Sequence, residues 1–218
     1  LGIAAIIFDH DGTLVDSEGV HFTIWQQLLS DNFGIKFNKQ EYLNHHCGTP
    51  TLRNAELIVQ QHGLNLNPQD LCDLKQQALQ VVLNRNPFPL MPFALEALDL
   101  GKQAGVKMGV ATGANHSEVT SSISSHKLED FFQTIVSKDD VDNSKPAPDT
   151  YLKAALELGV EPRECMAIED SLTGIRAAQA AGMTCIAVTY AFSKHQDLSL
   201  ADYRVDNLKQ AVEIALGL

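Results

Sequence analysis

Ala4-Ala5-Ile6-Ile7-Phe8 runs directly into Asp9-His10-Asp11-Gly12-Thr13, and this junction decides how the rest of the chain is read. The apolar run has the length and character of a buried strand. Alternation along an extended backbone brings residues two apart to one side, so Asp9 and Asp11 are expected together just beyond the strand end. In parallel sheets ligands bind beyond the carboxyl ends of the strands. Paired carboxylates are costly there unless a cation or a shared proton relieves them. The turn therefore reads as a site.

After Thr13 the pattern becomes helical and stays so to about Arg85. Val20, Ile24 and Leu28 recur every four residues. Leu71, Leu74, Ala78, Val81 and Val82 form a second apolar stripe, opened by Asn67 as N-cap, Pro68 at the first helical position and Asp70 in the first turn. Asn86-Pro87-Phe88-Pro89-Leu90-Met91-Pro92 ends this stretch, because proline neither continues a helix nor donates to a sheet. Beyond it helix and strand alternate. A helix around Leu95 and Leu98 closes at Gly105, and strands are expected at Val106–Ala111, Ile135–Val136, Met166–Ile168 and Cys185–Thr189. Helices are expected from Pro148 to Gly159 and from Ser171 to Gly182. This alternation implies a parallel sheet covered on both faces. A lone strand at Ile6 cannot bury itself, so it must join that sheet. The fold class is thus α/β, with a Rossmann-like parallel core of residues 1–15 and 90–218 and an inserted helical cap of residues 16–89.

The chain has 218 residues, 44% of them hydrophobic and 20% charged, as in a folded globular protein. Its net charge of −11 argues against a nucleic-acid partner. Cys47, Cys72, Cys165 and Cys185 lack CxxC spacing and read as free thiols, which suits a reducing cytoplasm. The apolar start at Ile3 is too short to span a membrane. A cytoplasmic protein, monomeric or weakly dimeric, is expected.

Four strand ends carry chemistry together. The first supplies Asp9 and Asp11. The second supplies Thr112-Gly113, a hydroxyl beside a residue that lets backbone N–H groups approach a ligand. After the third comes Lys145, set among prolines in Ser144-Lys145-Pro146-Ala147-Pro148-Asp149, and the fourth supplies Glu169-Asp170-Ser171. Taken singly, Thr112 could be a helix N-cap, Lys145 a surface lysine, and Glu169 and Asp170 acids favoured by a helix N-terminus. A calcium loop at Asp9 lacks oxygen ligands further along, where Val15 and Gly19 stand.

In this order the pieces resemble the motifs of the haloacid dehalogenase superfamily of phosphotransferases: Phe8-Asp9-His10-Asp11-Gly12-Thr13-Leu14-Val15-Asp16-Ser17-Glu18 the first, then Thr112, Lys145, and Glu169-Asp170-Ser171. Asp170-Ser171-Leu172-Thr173-Gly174-Ile175, with Ala177-Ala178 and Ala181-Gly182-Met183, is similar to the helical-cap subgroup, which includes sugar-phosphate phosphatases and β-phosphoglucomutase. The resemblance implies that Asp9 is a nucleophile forming an aspartyl-phosphate. It implies Mg²⁺ held by Asp9, the backbone carbonyl of Asp11, and Asp170, with Glu169 in or just behind that set. Asp11 becomes general acid and then general base, and Thr112, Gly113 and Lys145 cradle the phosphoryl group.

The mutase members carry Gly-x-x-Arg in the cap loop. Here Cys47-Gly48-Thr49-Pro50-Thr51 places Thr51 at the arginine position, with Arg53 two residues on, which favours a phosphatase over a mutase. His21, Thr49 and Arg53 are the candidate cap contacts, and His45-His46 reads as surface. A phosphate-accepting receiver module is the non-enzymatic alternative, although receivers place adjacent acids first and accept phosphate on a later strand. The expected substrate is a small phosphorylated metabolite, with neither nucleic acid nor membrane as partner.

Overall fold

The computed structural model describes residues 2–194 and 196–218. Six strands form one parallel sheet: β1 (Ala5–Phe8), β2 (Lys107–Ala111), β3 (Thr134–Val136), β4 (Cys165–Glu169), β5 (Thr184–Val188) and β6 (Tyr203–Val205), in the order β3-β2-β1-β4-β5-β6. The chain divides into two compact units, residues 1–16 with 89–218 and residues 17–88. The sequence alone drew these lines one residue away, at 15/16 and 89/90.

The second unit holds α1 (Ser17–Phe33), α2 (Lys39–His45), α3 (Thr51–His62) and α4 (Pro68–Leu83). Ile24, Trp25, Leu28 and Leu29 of α1 are buried, as the four-residue spacing requires. Asn67 caps α4 through its side chain, which accepts from the Gln69 N–H. The buried face of α4 is Leu71, Cys72 and Lys75. Leu74 and Val81, expected inside, are 40% and 54% exposed. The stripe is rotated because α4 packs against both α1 and α3, which takes the face centred on Leu71. The surface reading of His46 is likewise overturned. Its ring is buried, with Nδ1 2.9 Å from Asn54 Oδ1 and Nε2 3.2 Å from Gln61 Oε1. Only His45 of that pair is exposed.

In the first unit, α5 (Ala94–Gln103), α6 (His116–Ser125), α7 (Asp149–Leu158), α8 (Leu172–Ala180) and α9 (Leu208–Leu216) follow. On one face α7 and α8 pack over Ala5, Ile7, Cys165, Ala167, Cys185 and Ala187. The small side chains of β4 and β5 let these helices approach closely. On the other face α5 and α9 pack against each other and against β2 and β5, while the alternate strand residues Ile6, Phe8, Val110 and Ile168 are fully buried. The four cysteines are free, three of them buried. Among the described residues no helix is long and apolar enough to cross a membrane. The short β6, α6 and α9 were not foreseen.

Candidate active site

Register places the site. Phe8 is level with Val110 of β2 and with Ile168 of β4, so the next positions, Asp9 and Glu169, stand side by side. The ladder continues one residue past β1, with the Asp9 N–H donating to the Ile168 carbonyl at 2.9 Å. Counting by two from Ala5 and from Cys165 puts both carboxylates on the face covered by α7 and α8. Beyond Asp9 the strand is over. The His10 carbonyl accepts from the N–H groups of Thr13, Leu14 and Val15, and Gly12 takes φ +77°. Alternation therefore carries only as far as Asp9, and Asp11 sits in the turn with its side chain 40% exposed. A side chain at Gly12 would collide with the Asp170 carboxylate, so glycine is required both by φ and by close approach.

Asp9, Glu169 and Asp170 are buried, and each offers an oxygen within 4.8 Å of the others. Lys145 reaches them from the loop after β3. Its Nζ lies 2.6 Å from Asp9 Oδ1 and 2.5 Å from Glu169 Oε1, and 3.4 Å from the Tyr151 hydroxyl. The surface reading of Lys145 is excluded, since its side chain is 8% exposed. All three ammonium protons have acceptors. Tyr151, on α7 and fully buried, also donates to Glu169 Oε1 at 2.9 Å. Glu169 Oε2 accepts from the Asp170 and Ser171 N–H groups and from the Ser171 hydroxyl. Its two oxygens thus take five donors, about all that a carboxylate can accept.

The charges follow from this packing. Burial, with the Glu169 charge beside it, pushes the Asp9 carboxyl up to about 7 despite the nearby lysine. Burial works against the Lys145 charge, but Asp9 and Glu169 outweigh it and hold the lysine above its usual range. Burial and the Glu169 charge drive the Tyr151 phenol well above its usual range, so it stays a donor. Three buried carboxylates converge within ion-binding distance, and an all-oxygen donor set suits a hard divalent cation.

Thr112 is buried at the end of β2, its N–H donating to Val136 and its Oγ1 accepting from the Ala114 N–H at 3.0 Å. It is not the cap of α6, because Asn115 fills that role in a capping box with Glu118. A Cβ on Gly113 would lie 3.8 Å from Ser144 Oγ, so the loops after β2 and β3 meet here. In the helical unit, His21 Nδ1 is 3.0 Å from Lys75 Nζ and its ring packs edge-on to Phe88. The Thr49 carbonyl accepts from Asn54 Nδ2, and Arg53 pairs with Glu56 on the surface. Tyr151 was missed in the sequence, where its only signal is an aromatic residue in the first turn of the helix after the Lys145 loop.

The sequence pattern of the haloacid dehalogenase-like hydrolase family matches residues 6–188. Fructose-1-phosphate phosphatase YqaB of Escherichia coli (strain K12) is 33% identical over 185 residues, 85% of this chain and 96% of its own. The crystal structure of an HAD family hydrolase from Deinococcus radiodurans R1, with bound phosphate and sodium, aligns at TM-score 0.85 and 26% identity, covering 98% of this chain and 96% of that one. A mutant CbbY from Rhodobacter sphaeroides in complex with xylulose-(1,5)bisphosphate aligns at TM-score 0.73 and 26% identity, covering 95% and 96%. The match runs from β1 through β5 and takes in every strand end that carries the acids, the hydroxyl and the lysine. The chain therefore belongs to the haloacid dehalogenase-like hydrolases.

Proposed function

We propose that the protein is a Mg²⁺-dependent phosphatase that hydrolyses a sugar phosphate through an aspartyl-phosphate on Asp9. The class of reaction is phosphoric monoester hydrolysis, and the observation that carries the reading is the convergence of Asp9, Glu169 and Asp170 on one buried point with Lys145 between them. Asp9, Asp170 and the Asp11 carbonyl hold the cation in this reading. Glu169, saturated by donors, stands behind them and anchors Lys145. Bound Mg²⁺ supplies the positive charge that neutralises the phosphoryl oxygens and the Asp9 carboxylate.

Asp9 attacks phosphorus, and the phosphorus–oxygen bond to the sugar breaks as Asp11 gives its proton to the departing alkoxide. Asp11, now ionised, takes a proton from water, which attacks the same phosphorus and returns Asp9 as a carboxylate. Lys145 aims Asp9 and balances its charge. It can reach a phosphoryl oxygen by giving up its longest contact, that to Tyr151. Thr112 and the Gly113 N–H face the same group from the end of β2. Substrate selection is assigned to the helical unit acting as a cap, with His21, Thr49 and Arg53 as candidate contacts. The sugar phosphates named for the relatives support a substrate of that class.

A phosphate-release screen over hexose, pentose and other metabolite phosphates tests this, run with Mg²⁺, with a chelator, and with added glucose 1,6-bisphosphate. The expected result is Mg²⁺-dependent release that the bisphosphate does not stimulate. Interconversion of hexose phosphates that needs the bisphosphate, without net release, would instead make the protein a mutase.

A further inference from the structure

His10 stands between the two aspartates and is 2% exposed. Its ring is held at both nitrogens, with Nε2 2.9 Å from Ser122 Oγ on α6 and Nδ1 3.2 Å from Asp11 Oδ2. The strand leading to it is wholly apolar, and nothing in the sheet packing asks for an imidazole. A buried imidazole costs free energy unless its nitrogens find partners, and here both do. A carboxylate oxygen without a proton can only accept, so Nδ1 carries the hydrogen and donates to Asp11. The Ser122 hydroxyl then completes the ring at Nε2.

Neither end of this contact is loose. The His10 carbonyl accepts three N–H groups of the turn, and Ser122 lies on the buried side of α6, the helix that follows the Thr112-Gly113 end of β2.

We propose that His10 is a positioning residue for Asp11: braced by Ser122, its ring holds one carboxylate oxygen of Asp11 and so orients the carboxyl group that exchanges a proton with leaving group and water. This rests on the acid–base reading of Asp11 given above. Without the brace Asp11 loses this contact, and its proton is less often in line with the departing oxygen. The cost then depends on how much the leaving group needs that proton.

The test is kcat/KM with Mg²⁺ over aryl phosphates of graded leaving-group acidity, from p-nitrophenyl phosphate to phenyl phosphate. His10→Leu is expected to lose about tenfold or more on phenyl phosphate and about threefold or less on p-nitrophenyl phosphate. His10→Asn, whose side-chain N–H can stand where Nδ1–H stood, should recover most of that loss. Ser122→Ala should show the same gradation at smaller size, and it carries the test should His10→Leu not fold. Asp11→Asn, assayed alongside, separates the two levels. If its loss is not graded, the acid–base reading fails and the positioning role with it. If its loss is graded while His10→Leu and Ser122→Ala lose equally on both esters, or not at all, only the positioning role is overturned.

Discussion

Lys145 Nζ stands 2.6 Å from Oδ1 of Asp9, although 136 positions separate the two residues in the sequence. The parallel sheet makes the pairing possible, because β1 and β3 deliver their following loops to the same edge. The ammonium pairs with two of the three buried acids that converge there.

Lys145→Met should therefore destabilise the metal-free protein strongly. Removing one member of a buried ion pair leaves the other charge unpaired and costs about 3–5 kcal/mol. Added Mg²⁺ should return part of that stability, since a cation beside Asp9 and Asp170 does some of the lysine's electrostatic work. Urea unfolding with Mg²⁺ or chelator measures both. A loss independent of Mg²⁺ would mean that lysine and cation do not share these carboxylates.

The high Asp9 pKa sets a pH dependence whose sign is definite. Its folded value, about 7, lies above the ordinary 3.8, so between those limits the folded state holds a proton that the unfolded state has released. This group thus favours folding most below about pH 4. Its contribution is lost as pH rises through 7 in the absence of metal. Metal binding must expel the same proton, so Mg²⁺ affinity should fall about tenfold for each pH unit below 7 and level off above it. The Mg²⁺-induced rise in Tm, followed from about pH 5.5 to 8, reads this out. A flat profile would contradict the buried, proton-retaining carboxyl.

Gly174 offers a test at a residue that has no part in the reaction itself. A Cβ there would overlap the Glu169 carboxylate, which Tyr151, Lys145, Ser171 and the Asp170 N–H fix in place. Gly174→Ala must push Glu169 aside and Lys145 with it, at about 1–3 kcal/mol of stability as in other overpacked sites. Turnover should fall about tenfold through Asp9 misalignment. Melting and kcat measured together check this. A destabilised variant with unchanged kcat would show that Glu169 need not be held where it is.

Much of the site was legible because its chemistry sits in short motifs at strand ends, where the strand itself fixes the position of the side chains that follow. Asp9 and the Glu169-Asp170 pair needed only that, whereas Lys145, in the loop beyond β3, was marked by the prolines that follow it. The supporting shell was not legible, because its members are paired by tertiary packing. Tyr151 reads as one more apolar position on α7 until the sheet register brings Glu169 beneath it. His46 reads as exposed beside its neighbour until α3 delivers Asn54 and Gln61. The alternation argument for Asp9 and Asp11 assumed an extended backbone, and the turn centred on His10 and Gly12 ends that assumption at Asp9.

The fold shows the same division. Long apolar runs such as Ala5–Phe8 and Cys165–Glu169 declare themselves. Tyr203–Val205 has only Val205 buried and gives no strand signal. α6, rich in serine, has weak helix propensity, and its legible mark was the Asn115–Glu118 capping box. On α4, Leu74 and Val81 satisfied the period but lay off the packed face, which the helical neighbours choose.

The central claim, that Asp9 takes the phosphoryl group, is tested most directly by quenching turnover with borohydride and mapping the reduced residue by peptide mass spectrometry. An acyl phosphate on Asp9 is expected to be reduced to homoserine at position 9, in the wild type and not in Asp9→Asn, which should also release no phosphate. Reduction at another carboxylate, or phosphate release by Asp9→Asn at close to the wild-type rate, would contradict the account.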